Sequence, residues 1–219
     1  MMKSALILVD VQNDFCPGGS LPVTGGFDII PVINALQPRF DLIVATKDWH
    51  PKGHSSFAAT HGKQPGEVMM LGGIQQVLWP AHCVQGTKGA EFAPGLTTTH
   101  IARSFNKGVD PAIDSYSGFF DNGHKRATGL GDYLRAQGVT DVFVVGLATD
   151  YCVKWTALDA KQLGFDTTVV LDACRGVNLK SGDVDRAIEE MKAAGITFMQ
   201  SSDLLAPHTG ERREERTRR

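Results

Sequence analysis

Six short runs of apolar residues recur along this chain, and most are separated by stretches with a helical pattern. The runs are nearly continuous in aliphatic residues, as expected for strands covered on both faces. Gly138, Gly164 and Gly195 each follow a helical pattern at a plausible C-cap. Alternation of strands and helices predicts an α/β domain, with a mostly parallel six-stranded sheet between two layers of helices in the Rossmann-like manner. The predicted strands lie near residues 4–10, 41–46, 100–105, 141–147, 167–171 and 196–199, and the predicted helices near 26–38, 124–138, 150–164 and 182–194.

Length and charge limit the classes of protein to which the chain could belong. Its 219 residues suit one large domain, expected over residues 1–210. The charged tail at 211–219 is expected to be disordered and is given no role. A net charge of -2 gives no reason to expect nucleic acid or a membrane as partner. No apolar run approaches the roughly 18 residues of a membrane span. Four cysteines without close pairing favour a reducing compartment, and we expect a cytoplasmic protein.

The stretch from residue 51 to 99 departs from this alternation. It is rich in Gly, Pro, His and Gln and has no clear periodicity. We therefore predict a long loop, and a loop of that length inside a compact domain usually has a function.

Polar residues of complementary chemistry follow four of the predicted strands: Asp10, Asp48, Lys107 and Cys152. In parallel sheets, ligands bind beyond the carboxyl ends of the strands, so these side chains are expected to meet. Cys152 follows the run Val142–Leu147 across a short turn and opens a predicted helix. Backbone N–H groups at a helix start favour a thiolate and can also hold an oxyanion. An acid, an amine and a thiol at one rim indicate a cysteine hydrolase.

A second group of residues has the chemistry of metal ligands. Asp48 and His50 are two residues apart, so in extended backbone their side chains point to the same side. His82, within the predicted loop, is the best third ligand, and His54 is an alternative or an outer partner. A carboxylate with imidazoles suits zinc, manganese or iron, and ligand type alone does not separate these ions. We take zinc as the first choice, with manganese and iron as alternatives.

Five segments resemble those of the nicotinamidases, a branch of the isochorismatase-like cysteine hydrolases: Val9–Phe15, Thr46–His50, Trp79–Thr87, Tyr116–Phe119 and Gly146–Val153. The resemblance runs over about residues 4–205, in the family's order, and leaves out the charged tail. The first and last segments are shared across much of the superfamily. The second and third are more specific to the nicotinamidase branch.

The resemblance implies the isochorismatase-like hydrolase fold and hydrolysis of nicotinamide to nicotinate and ammonia, a step of NAD salvage, with pyrazinamide as a further substrate. It implies a thioester on the nucleophile of a triad, a metal that binds the pyridine nitrogen, and aromatic walls around the substrate. It also implies a cis peptide bond at Leu147–Ala148. The implied residues are Asp10, Lys107 and Cys152 for the triad, Ala148 and Cys152 for the oxyanion, Asp48, His50 and His82 for the metal, and Phe15, Trp79 and Tyr116 for the pocket.

Several alternatives stay open at this point. Another C–N hydrolase, of the carbamoyl-sarcosine or ureidoacrylate type, would share the triad, although the metal motif argues against it. Isochorismatases proper cleave a vinyl ether and lack the nucleophilic cysteine, so Cys152 argues against that function. A non-catalytic protein that senses metal or thiol oxidation would have no need of Lys107. Taken singly, Lys107 could be a solvated loop lysine, and the three aromatic residues could belong to the core. A homo-oligomer is compatible with the sequence.

Overall fold

A computed structural model describes residues 3–206, and these residues form one six-stranded sheet with helices on both faces. The sheet contains β1 (Lys3–Val9), β2 (Leu42–Asp48), β5 (Arg103–Lys107), β6 (Val139–Leu147), β7 (Asp166–Arg175) and β8 (Thr197–Met199). Their order is β5-β2-β1-β6-β7-β8, and every neighbouring pair is parallel. The predicted α/β architecture is confirmed. The predicted end of the domain at residue 210 and the charged tail at 211–219 lie outside the described residues.

The central strand β1 is buried on both faces, which explains its continuous apolar sequence. Ala5, Ile7 and Val9 belong to one core cluster, and Leu6 and Leu8 belong to the other. Since successive side chains of a strand point to opposite faces, each core lies on its own side of the sheet. Strand β1 therefore contributes side chains to both cores, one between the sheet and each of the two predicted helix layers.

Within the described part of the chain, five α-helices cover the two faces: α1 (Ile29–Leu36), α2 (Leu130–Ala136), α3 (Lys154–Gln162), α4 (Asp183–Ala193) and α5 (Ser201–Leu205). The buried residues of α1 belong to the cluster of Leu6. Leu130 of α2, Ala157 of α3 and Met191 of α4 belong to the cluster of Ile7. The predicted glycines end their helices with φ of 72° at Gly138, 90° at Gly164 and 78° at Gly195.

Three local features differ from the sequence-based prediction. The helix predicted from residue 150 begins as a π-helical turn, Thr149–Val153, and only then continues as α3. The short helix α5 was not predicted; a capping box between Gln200 and Asp203 starts it. The predicted loop 51–99 contains a β-hairpin of β3 (Val68–Leu71) and β4 (Ile74–Val77).

The strand order creates a crevice beside β1. From β1 the chain builds outward through β2 to β5 at one edge, then returns to pair β6 with the other side of β1 and builds toward β8. In sheets of this kind, ligands bind where the order reverses, beyond the carboxyl ends of the strands. The site is therefore expected beyond the ends of β1 and β6. Within residues 3–206, no helix has both the length and the apolar character needed to cross a bilayer.

Candidate active site

The three residues predicted as a triad stand at the carboxyl ends of three strands. Asp10 directly follows β1 and has a left-handed backbone with φ of 49°. Cys152 lies in the π-helical turn after β6 rather than in the first turn of α3. Lys107 and Asp48 were expected just beyond their strands, but they are the last residues of β5 and β2, where they pair with each other in register. All of these positions lie at one edge of the sheet.

Lys107 joins the side chains that the sequence assigned to separate groups. Its Nζ lies 2.8 Å from Asp10 Oδ2, 3.4 Å from Cys152 Sγ and 2.5 Å from Asp48 Oδ1. It also donates a hydrogen bond of 2.8 Å to the carbonyl of Ser115. The Lys107 residue is only 1% exposed, so it is no solvated loop lysine. One buried ammonium therefore connects the acid, the thiol and the proposed metal ligand.

Burial and charge act in opposite directions on these groups. Burial alone would lower the pKa of Lys107, but the carboxylates of Asp10 and Asp48 outweigh it and hold that pKa well above its usual value. Burial raises the pKa of Asp10 above its usual value, although the Lys107 ammonium opposes the shift. Burial also raises the pKa of the Cys152 thiol well above its usual range; Lys107 opposes this shift, and the two carboxylates add to it. Burial thus opposes the thiolate that the position of Cys152 near a helix start favours, and the Lys107 ammonium acts in the thiolate's favour.

The residues predicted as metal ligands also converge. One ligand atom each from Asp48, His50 and His82 can be chosen so that all three lie within 4.8 Å of one another. The Nε2 atoms of both histidines lie 3.5 Å from Asp48 Oδ2. Their Nδ1 atoms lie near backbone carbonyls, 3.0 Å from Gly108 for His50 and 2.8 Å from Pro80 for His82.

These contacts fit a divalent metal ion. When Nδ1 of each ring donates its proton to a carbonyl, Nε2 has a free lone pair with which to bind an ion. This is the common arrangement around metal-binding histidines. Among residues 3–206, His50 Nε2 is a buried atom with no hydrogen-bond partner. Burial acts to raise the pKa of Asp48, but Lys107 and His50 outweigh it and hold the carboxyl group ionised. The cluster thus offers two imidazoles and a carboxylate, which suits zinc and similar ions.

His54 occupies the outer position that the sequence left as an alternative. Its ring lies against that of His50, with centroids 4.5 Å apart and the ring planes tilted by 41°. Its Nδ1 lies 2.8 Å from Ser56 Oγ and its Nε2 lies 2.8 Å from the carbonyl of Asp110. Both nitrogens are therefore engaged, and this geometry favours Asp48, His50 and His82 as the three ligands.

A cavity with an empty volume of about 330 Å³, part of it open to solvent, lies over these groups. The predicted aromatic residues Phe15, Trp79 and Tyr116 all line it, together with Cys152 and Ala148. Its mostly apolar and aromatic walls, with a few polar groups among them, are typical of a site for a small aromatic molecule. The Leu147–Ala148 peptide bond is cis, as the resemblance implied.

Several residues of the site were not predicted. Leu21, Asp114, Tyr151 and Val177 also line the cavity. Thr46 donates a hydrogen bond of 2.7 Å to Asp10 Oδ1. Thr46 could have been found, because it precedes Asp48 by two residues in the same strand and so faces the same side. The other four lie in loops or in the π-helical turn, where no sequence period indicates which way a side chain points.

The sequence and the fold of this chain are similar to those of several known proteins. A model of the isochorismatase domain matches residues 4–203. The chain is 48% identical over 207 residues to the nicotinamidase of Escherichia coli, which covers 93% of this chain and 97% of that protein. It superposes on the structure of an Acinetobacter baumanii nicotinamidase and pyrazinamidase with a TM-score of 0.91 and 49% identity, over 94% of this chain and 99% of that one. It superposes on a pyrazinamidase of Pyrococcus horikoshii in complex with zinc with a TM-score of 0.73 and 41% identity, over 90% and 99% of the two chains.

Proposed function

The chain belongs to the isochorismatase family, and we propose that it is a nicotinamidase that hydrolyses nicotinamide to nicotinate and ammonia through a thioester on Cys152. One observation carries the proposal: the Lys107 ammonium lies within 3.4 Å of both the Cys152 sulfur and an Asp10 oxygen, at a cavity lined by aromatic residues. A nucleophile and a base are what covalent hydrolysis of an amide needs, and the aromatic cavity suits an amide carried on an aromatic ring.

The first step acylates Cys152. Asp10 takes the thiol proton as sulfur attacks the carboxamide carbon, and the carbonyl electron pair moves onto oxygen. The raised pKa of Asp10, which follows from burial, makes it a stronger base than an exposed carboxylate. When the carbonyl re-forms, the C–N bond breaks, and Asp10 returns the proton to nitrogen so that ammonia leaves. Lys107 stays protonated and offsets the negative charge as it passes between sulfur and carboxylate.

The backbone amides of Ala148 and Cys152 are proposed to hold the negative oxygen of the tetrahedral intermediate. Both residues line the cavity. The Ala148 carbonyl accepts the N–H groups of Tyr151 and Val153 at 3.1 and 3.0 Å, which fixes the turn between the two amides. Backbone donors held in this way need no reorganisation when the charge develops.

Asp48, His50 and His82 are proposed to hold one divalent ion, for which zinc is favoured over manganese or iron. An ion held by these residues would act as a Lewis acid toward the pyridine nitrogen of the substrate, and would so orient the carboxamide toward Cys152. Phe15 stands edge-on to His82, with centroids 5.4 Å apart, and forms a wall beside this position. Trp79 donates from Nε1 to the Tyr116 hydroxyl at 3.1 Å, which fixes the two aromatic side chains against each other.

The second step releases nicotinate. Once ammonia has left, Asp10 is again a carboxylate and takes a proton from a water molecule, whose oxygen attacks the thioester carbon. The C–S bond breaks and the sulfur recovers the proton from Asp10. The resting thiol, favoured by the raised pKa of Cys152, is thereby restored. Pyrazinamide has a ring of the same size and the same amide group, and it is proposed as a second substrate. The release of nicotinate is proposed to be a step of NAD salvage in the cytoplasm.

The test is a panel of amides offered to the purified protein with zinc. Ammonia release from nicotinamide and pyrazinamide is expected, with little from ureidoacrylate or N-carbamoylsarcosine, which have no ring nitrogen for the ion. Benzamide is the matched control because it keeps the ring and the amide but lacks that nitrogen; its kcat/KM should be lower. Activity confined to the carbamoyl substrates would contradict the proposal.

A further inference from the structure

Strand β2 continues beyond the point at which its neighbour β1 stops pairing with it. The β1–β2 ladder ends at the pair Leu8 and Ala45, whereas β2 runs on to Asp48. Asp10 turns the chain out of the sheet with its φ of 49°, which brings its carboxylate to Lys107. The backbone of Asp48 would therefore face a side of the sheet where no strand accompanies it.

The side chain of Gln12 replaces the missing strand. Its Oε1 accepts the Asp48 N–H at 2.8 Å, and its Nε2 donates to the Asp48 carbonyl at 2.8 Å. Nε2 also donates to the carbonyl of Ala90 at 2.9 Å, and Gln12 is fully buried. One primary amide thus forms the two bonds to Asp48 that a parallel strand would form.

Asp48 is the residue at which the two halves of the site meet. Its Oδ1 contacts Lys107, and its Oδ2 faces both His50 and His82. The backbone N–H of Gln12 donates to the Asp10 carbonyl at 2.8 Å, so Gln12 is also tied to the residue proposed as the base. A shift of the Asp48 backbone would therefore move a metal ligand and a partner of Lys107 together.

We propose that Gln12 is a positioning residue that fixes Asp48 through its two backbone bonds, and so sets both the affinity for the metal and the alignment of Lys107 with Cys152. This inference rests on the proposed function in its assignment of the metal ligands. None of the hydrogen-bond partners of the Gln12 side chain is a metal-ligand atom or the Cys152 thiol, so Gln12 acts through the backbone of Asp48. Substitution of partners that orient metal ligands typically lowers metal affinity by about 10- to 100-fold.

The test compares Gln12→Met and Gln12→Leu with Gln37→Met. Methionine has nearly the length of glutamine and can fill the space without forming hydrogen bonds. Gln12→Leu is the second choice if the Gln12→Met variant does not fold. Gln37 is the matched control: it is equally buried, and its Nε2 donates to the Thr97 carbonyl at 2.9 Å, at the end of α1. Two quantities are measured in folded protein, the zinc affinity by competition with a chelator and the hydrogen exchange of the Asp48 amide in metal-free protein.

Both Gln12 variants are expected to bind zinc about 10- to 100-fold more weakly than the parent chain, to exchange the Asp48 amide faster, and to lose kcat. Gln37→Met should leave the zinc affinity and kcat unchanged, and should speed the exchange of the Asp48 amide no more than its loss of global stability accounts for. Parental zinc affinity together with parental exchange at Asp48 in a folded Gln12 variant would overturn the inference. If the parent chain binds no zinc, the proposed metal site fails, whereas the exchange of the Asp48 amide still tests the role of Gln12.

Discussion

At the scale of single residues, the site depends on one cation shared by two carboxyl groups and a thiol. Lys107 contacts Asp10, Asp48 and Cys152, and all are buried. Removing a buried cation leaves its partners as uncompensated charges, which commonly costs about 3–5 kcal/mol. Lys107 is thus a structural necessity as well as a part of the chemistry, so its substitution would mix effects on folding and on catalysis.

Thr46 offers a cleaner test of the base. Its hydroxyl donates to Asp10 Oδ1 and favours the ionised form, so Thr46→Val should raise the pKa of Asp10 further. Asp10 must be ionised to accept the thiol proton. The acid limb of the kcat/KM profile is therefore expected to move to higher pH, with a smaller change on the alkaline side.

A pH–rate series on Thr46→Val measures this shift. Thr167→Val is the matched control, since the Thr167 hydroxyl is buried and donates to the Phe165 carbonyl, in β7. An acid limb that stays in place in Thr46→Val, or moves equally in both variants, would show that Asp10 is not the base.

The sequence predicted which residues meet but not how they are charged. Asp10, Lys107 and Cys152 could be identified because each stands at or just beyond the end of an apolar run, and parallel strands bring such ends together. The raised pKa of Cys152 arises mainly from its burial, which no local pattern reveals. The contact between Lys107 and Asp48 could not be predicted either, because it depends on the register of β2 with β5.

At the scale of elements, the junction of β1 with β6 determines whether Asp10 and Cys152 meet. Val9 pairs with Gly146, which has a φ of 122°. A Cβ atom at position 146 would overlap the backbone of Val9. The close approach of these two strands, just before both site residues, therefore requires glycine at this position.

Gly146→Ala is expected to lower the free energy of unfolding by about 3 kcal/mol or more, because backbone atoms of two central strands must separate. Gly138→Ala is the control: its φ is 72°, and a Cβ there would meet open space. It should cost only about 1–2 kcal/mol for the left-handed backbone. Urea unfolding measures both, and equal losses would contradict the role assigned to Gly146.

The elements that the sequence missed lack strong local patterns. The hairpin of β3 and β4 has a visible signal in the turn Gly72-Gly73, where both residues have positive φ, as two-residue hairpin turns require. Its strands are only four residues long and partly exposed, so they carry no long apolar run. The helix α5 is shorter still, and only its cap distinguishes it from a loop.

At the scale of the whole molecule, the proposed metal ligands come both from the sheet and from the long connection between β2 and β5. Asp48 ends β2, whereas His82 lies in the connection and is positioned next to Cys83, whose N–H donates to Asp14 at 2.7 Å. An ion that binds only the folded protein stabilises it, by about 4 kcal/mol at a 1,000-fold excess over Kd. Folding and metal binding are therefore expected to be linked.

Scanning calorimetry with and without a chelator measures this linkage. The parent chain should melt at a lower temperature once the ion is removed, and His82→Ala should melt at the same temperature with or without chelator. His54→Ala is the contrasting variant, since both of its ring nitrogens have protein partners and the ion should stay bound. Loss of the chelator effect in His54→Ala but not in His82→Ala would exchange the roles of the two histidines.

The measurement that bears most directly on covalent catalysis is ammonia release from nicotinamide by Cys152→Ala, compared with the parent chain at equal zinc content. Alanine is a small apolar substitute in the buried cluster that holds Cys152, so the fold and the bound metal should be kept. Turnover by this variant is expected to fall below detection, while its zinc content and melting behaviour stay close to those of the parent. Ammonia release at a rate near that of the parent would contradict attack by the Cys152 sulfur.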